Sequence, residues 1–140
     1  MAIERTLTII KPDAVSAAHM GDIIKIFEAN DFKIVAARLV NLTKKEAEGF
    51  YAVHRGKPFF ESLTTFMSSG PALAMVLEGE QAIPRLREVM GATNPAKAAA
   101  GTIRQLYATN IERNAVHGSD APETAAYEIG YFFRGVDLTF

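Results

Sequence analysis

Apolar and polar positions along this chain change period several times, and each change marks an element. Arg5–Ile10 is rich in Thr, Leu and Ile and stops against Pro12, which predicts a strand. Over Gly21–Asn30, Ile23, Ile24 and Phe27 share one face at helical spacing while Lys25 and Glu28 lie outside, which predicts a helix. Asp31 then turns the chain, and Phe32–Leu42, β-branched and partly alternating, predicts a second strand. Thr43 with Glu46 three residues later has the form of a capping box and opens a helix running to about Val53. Pro58–Ser69 predicts another short helix, closed by Ser-Gly-Pro. Ala72–Leu77 is an apolar run between turn residues and reads as a buried strand. Gln81–Met90 reads as a helix with Pro84 in its first turn, where a missing N–H costs little. Gly91–Gly101 reads mostly as loop, Thr102–Tyr107 as a short helix and Ala115–His117 as a short fourth strand. Asp120–Phe133 closes the series as a helix, with Ser119 or Asp120 as its cap and Pro122 near its start.

The order is β-α-β-α-α-β-α-α-β-α. Without the extra helices it matches a β-α-β-β-α-β ferredoxin-like core, an α+β fold with a four-stranded antiparallel sheet. No linker, repeat or low-complexity tract interrupts it, so residues 1–140 read as a single domain. That plan hosts many functions, so chemistry must come from particular residues.

Composition narrows the field. Net charge is −1, which argues against nucleic acid and anionic membranes as partners. An anionic ligand must be met by a few placed cations. There is no cysteine, so disulfides and thiolate chemistry are excluded. The apolar run near the N-terminus is too short for a signal core or a membrane span, and a cytoplasmic location is expected.

The usual nucleotide and hydrolase signatures are absent, the P-loop and G-x-G-x-x-G among them. Of three histidines, His19 lies in a polar turn and reads as solvated, and His54 ends a helix, where a partly positive ring suits the dipole. His117 differs. It sits in Asn114-Ala-Val-His-Gly-Ser-Asp120, between a short strand and a helix start, and Gly118 lets another group approach the backbone. An imidazole there could attack phosphorus or could simply be a buried polar residue. Glu128 borders the inward face of the last helix, beside Ala125, Ile129 and Phe132. It either accepts a ring N–H from His117, fixing the tautomer, or reaches solvent. Lys11, Arg87 and Arg104 are each readable as surface charges; together they could clamp phosphates. Phe59 and Phe60 are adjacent and cannot share one helix face, so one is core and the other is free to stack on a flat ligand.

Six blocks carry a resemblance: TLTIIKPDAV (6–15), FYAVHRGKPFF (50–60), FMSSGPALAMVLEG (66–79), MGATNPAKA (90–98), GTIR (101–104) and NAVHGSDAPETAAYEI (114–129). In this order they resemble the nucleoside diphosphate kinase family from about Glu4 to Phe133. The resemblance implies ping-pong transfer of a γ-phosphoryl group between nucleoside tri- and diphosphates through a phosphohistidine on His117. It implies that Glu128 orients the ring and that Ser119 supplies a neighbouring hydroxyl. Lys11, Tyr51, Arg87, Thr93, Arg104 and Asn114 match positions around the phosphates and sugar, and Phe59 matches the aromatic under the base. Mg2+ bridging the nucleotide phosphates, no dedicated protein metal site, broad tolerance of bases and a homo-oligomer, tetramer or hexamer, are also implied. After GTIR this chain carries Gln105, Leu106 and Tyr107 where many members have an acidic residue. The short tail 134–140 is similar to that of prokaryotic members. The competing readings are a non-catalytic nucleotide-binding scaffold and, weakly, a nucleic-acid-binding domain.

Overall fold

The computed structural model describes residues 3–138; the two residues at each end of the expected domain, including the last two of the tail, lie outside the described residues. One sheet organises the chain. Its strands are β1 (Ile3–Ile10), β2 (Lys33–Val40), β3 (Ala72–Glu80) and β4 (Val116–Gly118), in the order β2-β3-β1-β4. All pairings are antiparallel. This is the expected α+β plan.

Both sheet faces are covered, which explains why the strands read as nearly continuous apolar runs. Leu7, Ile9, Ala74 and Val76 pack on one face with Phe50, Phe66, Met67 and Phe132. Ile10, Met75 and Leu77 pack on the other with Ile23, Phe27, Leu86, Met90 and Ile103. Strand alternation sends neighbouring residues to opposite layers, and here each layer is helical.

The helices are α1 (Pro12–Ser16), α2 (Met20–Ala29), α3 (Lys44–Phe50), α4 (Phe60–Met67), α5 (Ala82–Met90), α6 (Ile103–Tyr107) and α7 (Pro122–Phe132). The Thr43–Glu46 capping box forms with both reciprocal bonds. A 3-10 turn at Ala52–His54 replaces the last turn expected of that helix.

Four expectations need correction. Pro12 does not merely stop β1; it occupies the first turn of α1, where proline's lost N–H is harmless. β2 is shorter than expected, and a register shift between Ile34 and Ala36 produces its imperfect alternation. α5 starts one residue late, because Gln81 has left-handed backbone angles. Neither Ser119 nor Asp120 caps α7: Ala121 is its N-cap, without a side-chain bond. Ser119 is committed elsewhere, as shown below. Among the described residues, no helix is long and apolar enough to cross a membrane.

Candidate active site

β4 is a three-residue edge strand, and three contacts fix it. It pairs with β1, with Ile9 opposite His117. Thr8 Oγ1 donates to the His117 carbonyl at 2.8 Å. Gly118 lies against α5, where a Cβ would come within 2.6 Å of Met90 Sδ. The close approach expected at this glycine is therefore made by a packed helix. Ala115, just upstream, has φ of +73°, an uncommon conformation for a residue with a Cβ. It is held by the Asp13 carboxylate, which accepts its N–H at 3.1 Å, and by Lys11, whose backbone N–H donates to its carbonyl at 2.8 Å.

The His117 ring is mostly enclosed by protein. Phe50 and Tyr51 present edges to it, with ring centroids 5.4 and 5.9 Å away. Its Nε2 lies 2.7 Å from Glu128 Oε1. With the ring neutral, Nε2–H donates to the carboxylate and Nδ1 keeps its lone pair. Glu128 is buried, and the same oxygen accepts from Ser119 Oγ at 2.8 Å. Ser119 Oγ also receives the Leu7 N–H at 3.3 Å. This commitment inside the sheet explains why Ser119 does not cap α7. Of the two readings open for Glu128, the geometry selects the histidine partner over solvent.

The cations converge on the backbone flanking His117. Arg104 is buried and donates to three carbonyls: Asn114 at 3.3 Å, Gly91 at 3.1 Å and Val116 at 2.9 Å. A guanidinium has five N–H donors, so two remain for a ligand. Burial and the neighbouring Arg87 lower its pKa to about 10, so it stays charged at neutral pH. Arg87 is exposed and donates to the Gly118 carbonyl at 3.3 Å. Lys11 Nζ donates to Asn114 Oδ1 at 2.8 Å, and Asn114 Nδ2 donates to the Ile111 carbonyl at 2.8 Å. Burial, and then Arg104, lower the Lys11 pKa to about 8.

All these groups face one cleft of about 840 Å³, within the range of small-molecule sites. It is lined by Lys11, Tyr51, Phe59, Arg87, Thr93, Arg104, Asn114, His117 and Glu128. Every site residue expected from the resemblance lines it except Ser119, which sits behind Glu128. Tyr51 has a buried hydroxyl with no partner among the described residues, and burial raises its pKa. Phe59 is 48% exposed, whereas Phe60 packs on the core, as expected for an adjacent pair.

Sequence reasoning missed several lining residues, His54, Ile111 and Glu112 among them. His54 stacks on Tyr51 at 6.1 Å and meets the Phe59 ring at 5.2 Å, so it belongs to the cleft wall. Ile111 and Glu112 reach the cleft from the loop after α6. His19, read as solvated, is half-buried against Tyr107, with ring centroids 4.6 Å apart. Among the described residues, no group of three or more acidic or histidine side chains could cage a metal ion.

Comparison with known proteins bears on the family and the fold. The family model for nucleoside diphosphate kinase matches residues 4–138. The chain is 62% identical to a nucleoside diphosphate kinase of Nitrosospira multiformis over 138 residues, covering 99% of this chain and 98% of that one. It is 59% identical to one from Nitratidesulfovibrio vulgaris over 136 residues, covering 97% and 98%. Among solved structures, the Aquifex aeolicus nucleoside diphosphate kinase superposes with a TM-score of 0.97 at 45% identity, covering 99% of this chain and all of that one. A Halobacterium salinarum nucleoside diphosphate kinase in complex with CDP gives 0.94 at 38% identity, covering 99% and 93%. Similarity to these proteins along nearly its whole length places this chain in the nucleoside diphosphate kinase family.

Proposed function

We propose that the chain transfers the γ-phosphoryl group of a nucleoside triphosphate to a nucleoside diphosphate through a phosphohistidine on His117. The observation that carries this reading is the Nε2–Glu128 bond, which leaves Nδ1 as the free nucleophile inside a cleft with three cations. In the first half, the Nδ1 lone pair attacks the γ-phosphorus, the bond to the β–γ bridging oxygen breaks, and the nucleoside diphosphate leaves. In the second half, a β-phosphate oxygen of another diphosphate attacks the same phosphorus, and the P–N bond breaks. The positive charge that develops on the ring is offset by Glu128, itself held by Ser119. Lys11, Arg87 and Arg104 neutralise the phosphoryl oxygens, which is most of what phosphoryl transfer asks of a protein. Tyr51, Thr93 and Asn114 supply polar contacts to phosphates and sugar, and Phe59 stacks on the base.

Mg2+ fits as a partner of the nucleotide. This ion is commonly held by substrate phosphates and water. It would supply charge neutralisation along the polyphosphate. We read residues 1–140 as one domain with a cytoplasmic home and a homo-oligomeric assembly.

The test is incubation with γ-labelled ATP. Wild-type protein should acquire label that is acid-labile and base-stable, and should lose it to added diphosphate. His117→Ala should abolish labelling and exchange together. Near-native turnover in that variant would remove the mechanism.

A further inference from the structure

The base end of the cleft has one feature that stacking alone leaves without a role. Phe59, the N-cap of α4, and Leu63 on that helix form one wall. Ile111, 60% exposed, stands on the loop between α6 and β4, which forms the other wall. The next residue on that loop, Glu112, also lines the cleft. Its Oε2 accepts a hydrogen bond from Ser62 Oγ at 2.5 Å, so the carboxylate spans from the loop to α4. Ser62 follows Phe59 by three residues and shares its helix face. Ser62, which holds the carboxylate, therefore lies about one helical turn, roughly 5 Å of rise, beyond Phe59. A planar base resting on Phe59 would bring its edge to that carboxylate.

The loop is built to hold Glu112 in place. Asn110 Oδ1 accepts the backbone N–H groups of Glu112 and Arg113, at 3.0 and 2.8 Å. Asn114 Nδ2 ties down the Ile111 carbonyl, and the Arg113 guanidinium lies 5.1 Å from the centre of the Phe66 ring. Among the described residues Glu112 forms no ion pair. A negative charge in a cleft for polyphosphate weakens binding unless it meets a donor elsewhere on the ligand.

We propose that Glu112 is a specificity-determining residue that reads the base edge and favours guanine. The inference rests on the nucleotide-binding reading above. An ionised carboxylate only accepts hydrogen bonds, and it has about four acceptor positions. Ser62 can keep one while the base takes others. Guanine presents an N1–H and an N2 amine side by side, a donor pair that matches a carboxylate. Hypoxanthine keeps N1–H but lacks the amine. Adenine turns an acceptor, N1, toward the carboxylate. The expected order is guanosine, then inosine, then adenosine diphosphate, superimposed on a stacking contribution common to all three.

The experiment compares these three diphosphates in two ways: equilibrium binding to the protein, and kcat/KM as acceptors from the phosphorylated form. Wild type should favour guanosine over inosine diphosphate by about threefold or more, the scale of one hydrogen bond to a partly solvated charge. Glu112→Ala should bring that ratio close to one. Glu112→Gln, which keeps size and folding, should lower it part of the way. Ser62→Ala should keep the preference. A wild-type ratio near one, or a ratio unchanged in Glu112→Ala, overturns the proposal. So does an equal loss of affinity for all three diphosphates, which would make Glu112 a tie between the two walls. Base preference in binding without any phosphoryl exchange would sink the transferase reading and leave this one standing.

Discussion

Arg104 is buried and Arg87 is exposed, and the contrast separates two effects of the same charge. Each guanidinium is expected to stabilise the transition state by about 2–4 kcal/mol, the scale of one preorganised charge-stabilising group. Arg104 also satisfies three backbone carbonyls around His117, whereas Arg87 satisfies one. Leaving buried acceptors unpaired costs roughly 1–3 kcal/mol of stability. Arg87→Ala should therefore lower kcat/KM with little change in melting temperature, and Arg104→Ala should lower both. Steady-state kinetics beside thermal unfolding checks this; equal melting losses in the two variants would contradict it. Lys11 provides a pH signature. Its folded pKa, about 8, lies below the unfolded value of 10.5. Between these values the unfolded chain binds more protons, so this group's contribution to stability rises with pH from 8 to 10.5. Nucleotide phosphates reverse the shift, because an adjacent anion favours the charged ammonium. Binding near pH 8.5 should thus take up a proton, and affinity should fall as pH climbs above 8. Titration calorimetry in two buffers of different ionisation heat measures the uptake, and Lys11→Met should remove this contribution.

Among the elements, α3 shows how far local sequence carries structure. Thr43 and Glu46 satisfy each other's backbone donors within four residues, so their pairing needs no tertiary knowledge. Thr43→Ala should cost about 1 kcal/mol, seen as a lower denaturant midpoint with an unchanged slope. α3 ends at Phe50 and Tyr51, whose rings flank His117, so the loss should also raise KM. The strands were equally legible, since hydrophobic period is local, and the Asn-Ala-Val-His-Gly-Ser-Asp setting marked His117 as a candidate. The α7 cap was not: Ser119 meets all local rules for an N-cap, but a buried carboxylate nine residues away takes its hydroxyl. Ala115 carries no local sign of its left-handed backbone, which Asp13 fixes from α1, 102 residues earlier in the chain. His54, Ile111 and Glu112 were missed for the same reason. Their roles depend on two distant segments forming opposite walls of a cleft, which no short-range pattern encodes.

At the scale of the whole molecule, β2 ends the strand order of the sheet among the described residues. β2 is an outer strand of eight residues, and Ala37, Arg38 and Leu39 are exposed. Edge strands are usually guarded by free charges or proline. Here Arg38 donates to the Phe132 carbonyl at 3.1 Å, and its neighbour Leu39 is 58% exposed. A groove of about 570 Å³ runs beside this strand toward Phe133 and Arg134. A second copy of the chain would cover these groups, which supports the homo-oligomer proposed above. Assembly that stabilises the fold makes the melting temperature depend on protein concentration. Leu39→Glu, on the surface of one copy but inside the contact between two, should shift sedimentation toward smaller species and flatten that dependence. The cleft lies on other elements, so phosphohistidine formation should survive at concentrations where the variant stays folded. If Leu39→Glu sediments as the wild type does, the β2 edge is not the contact.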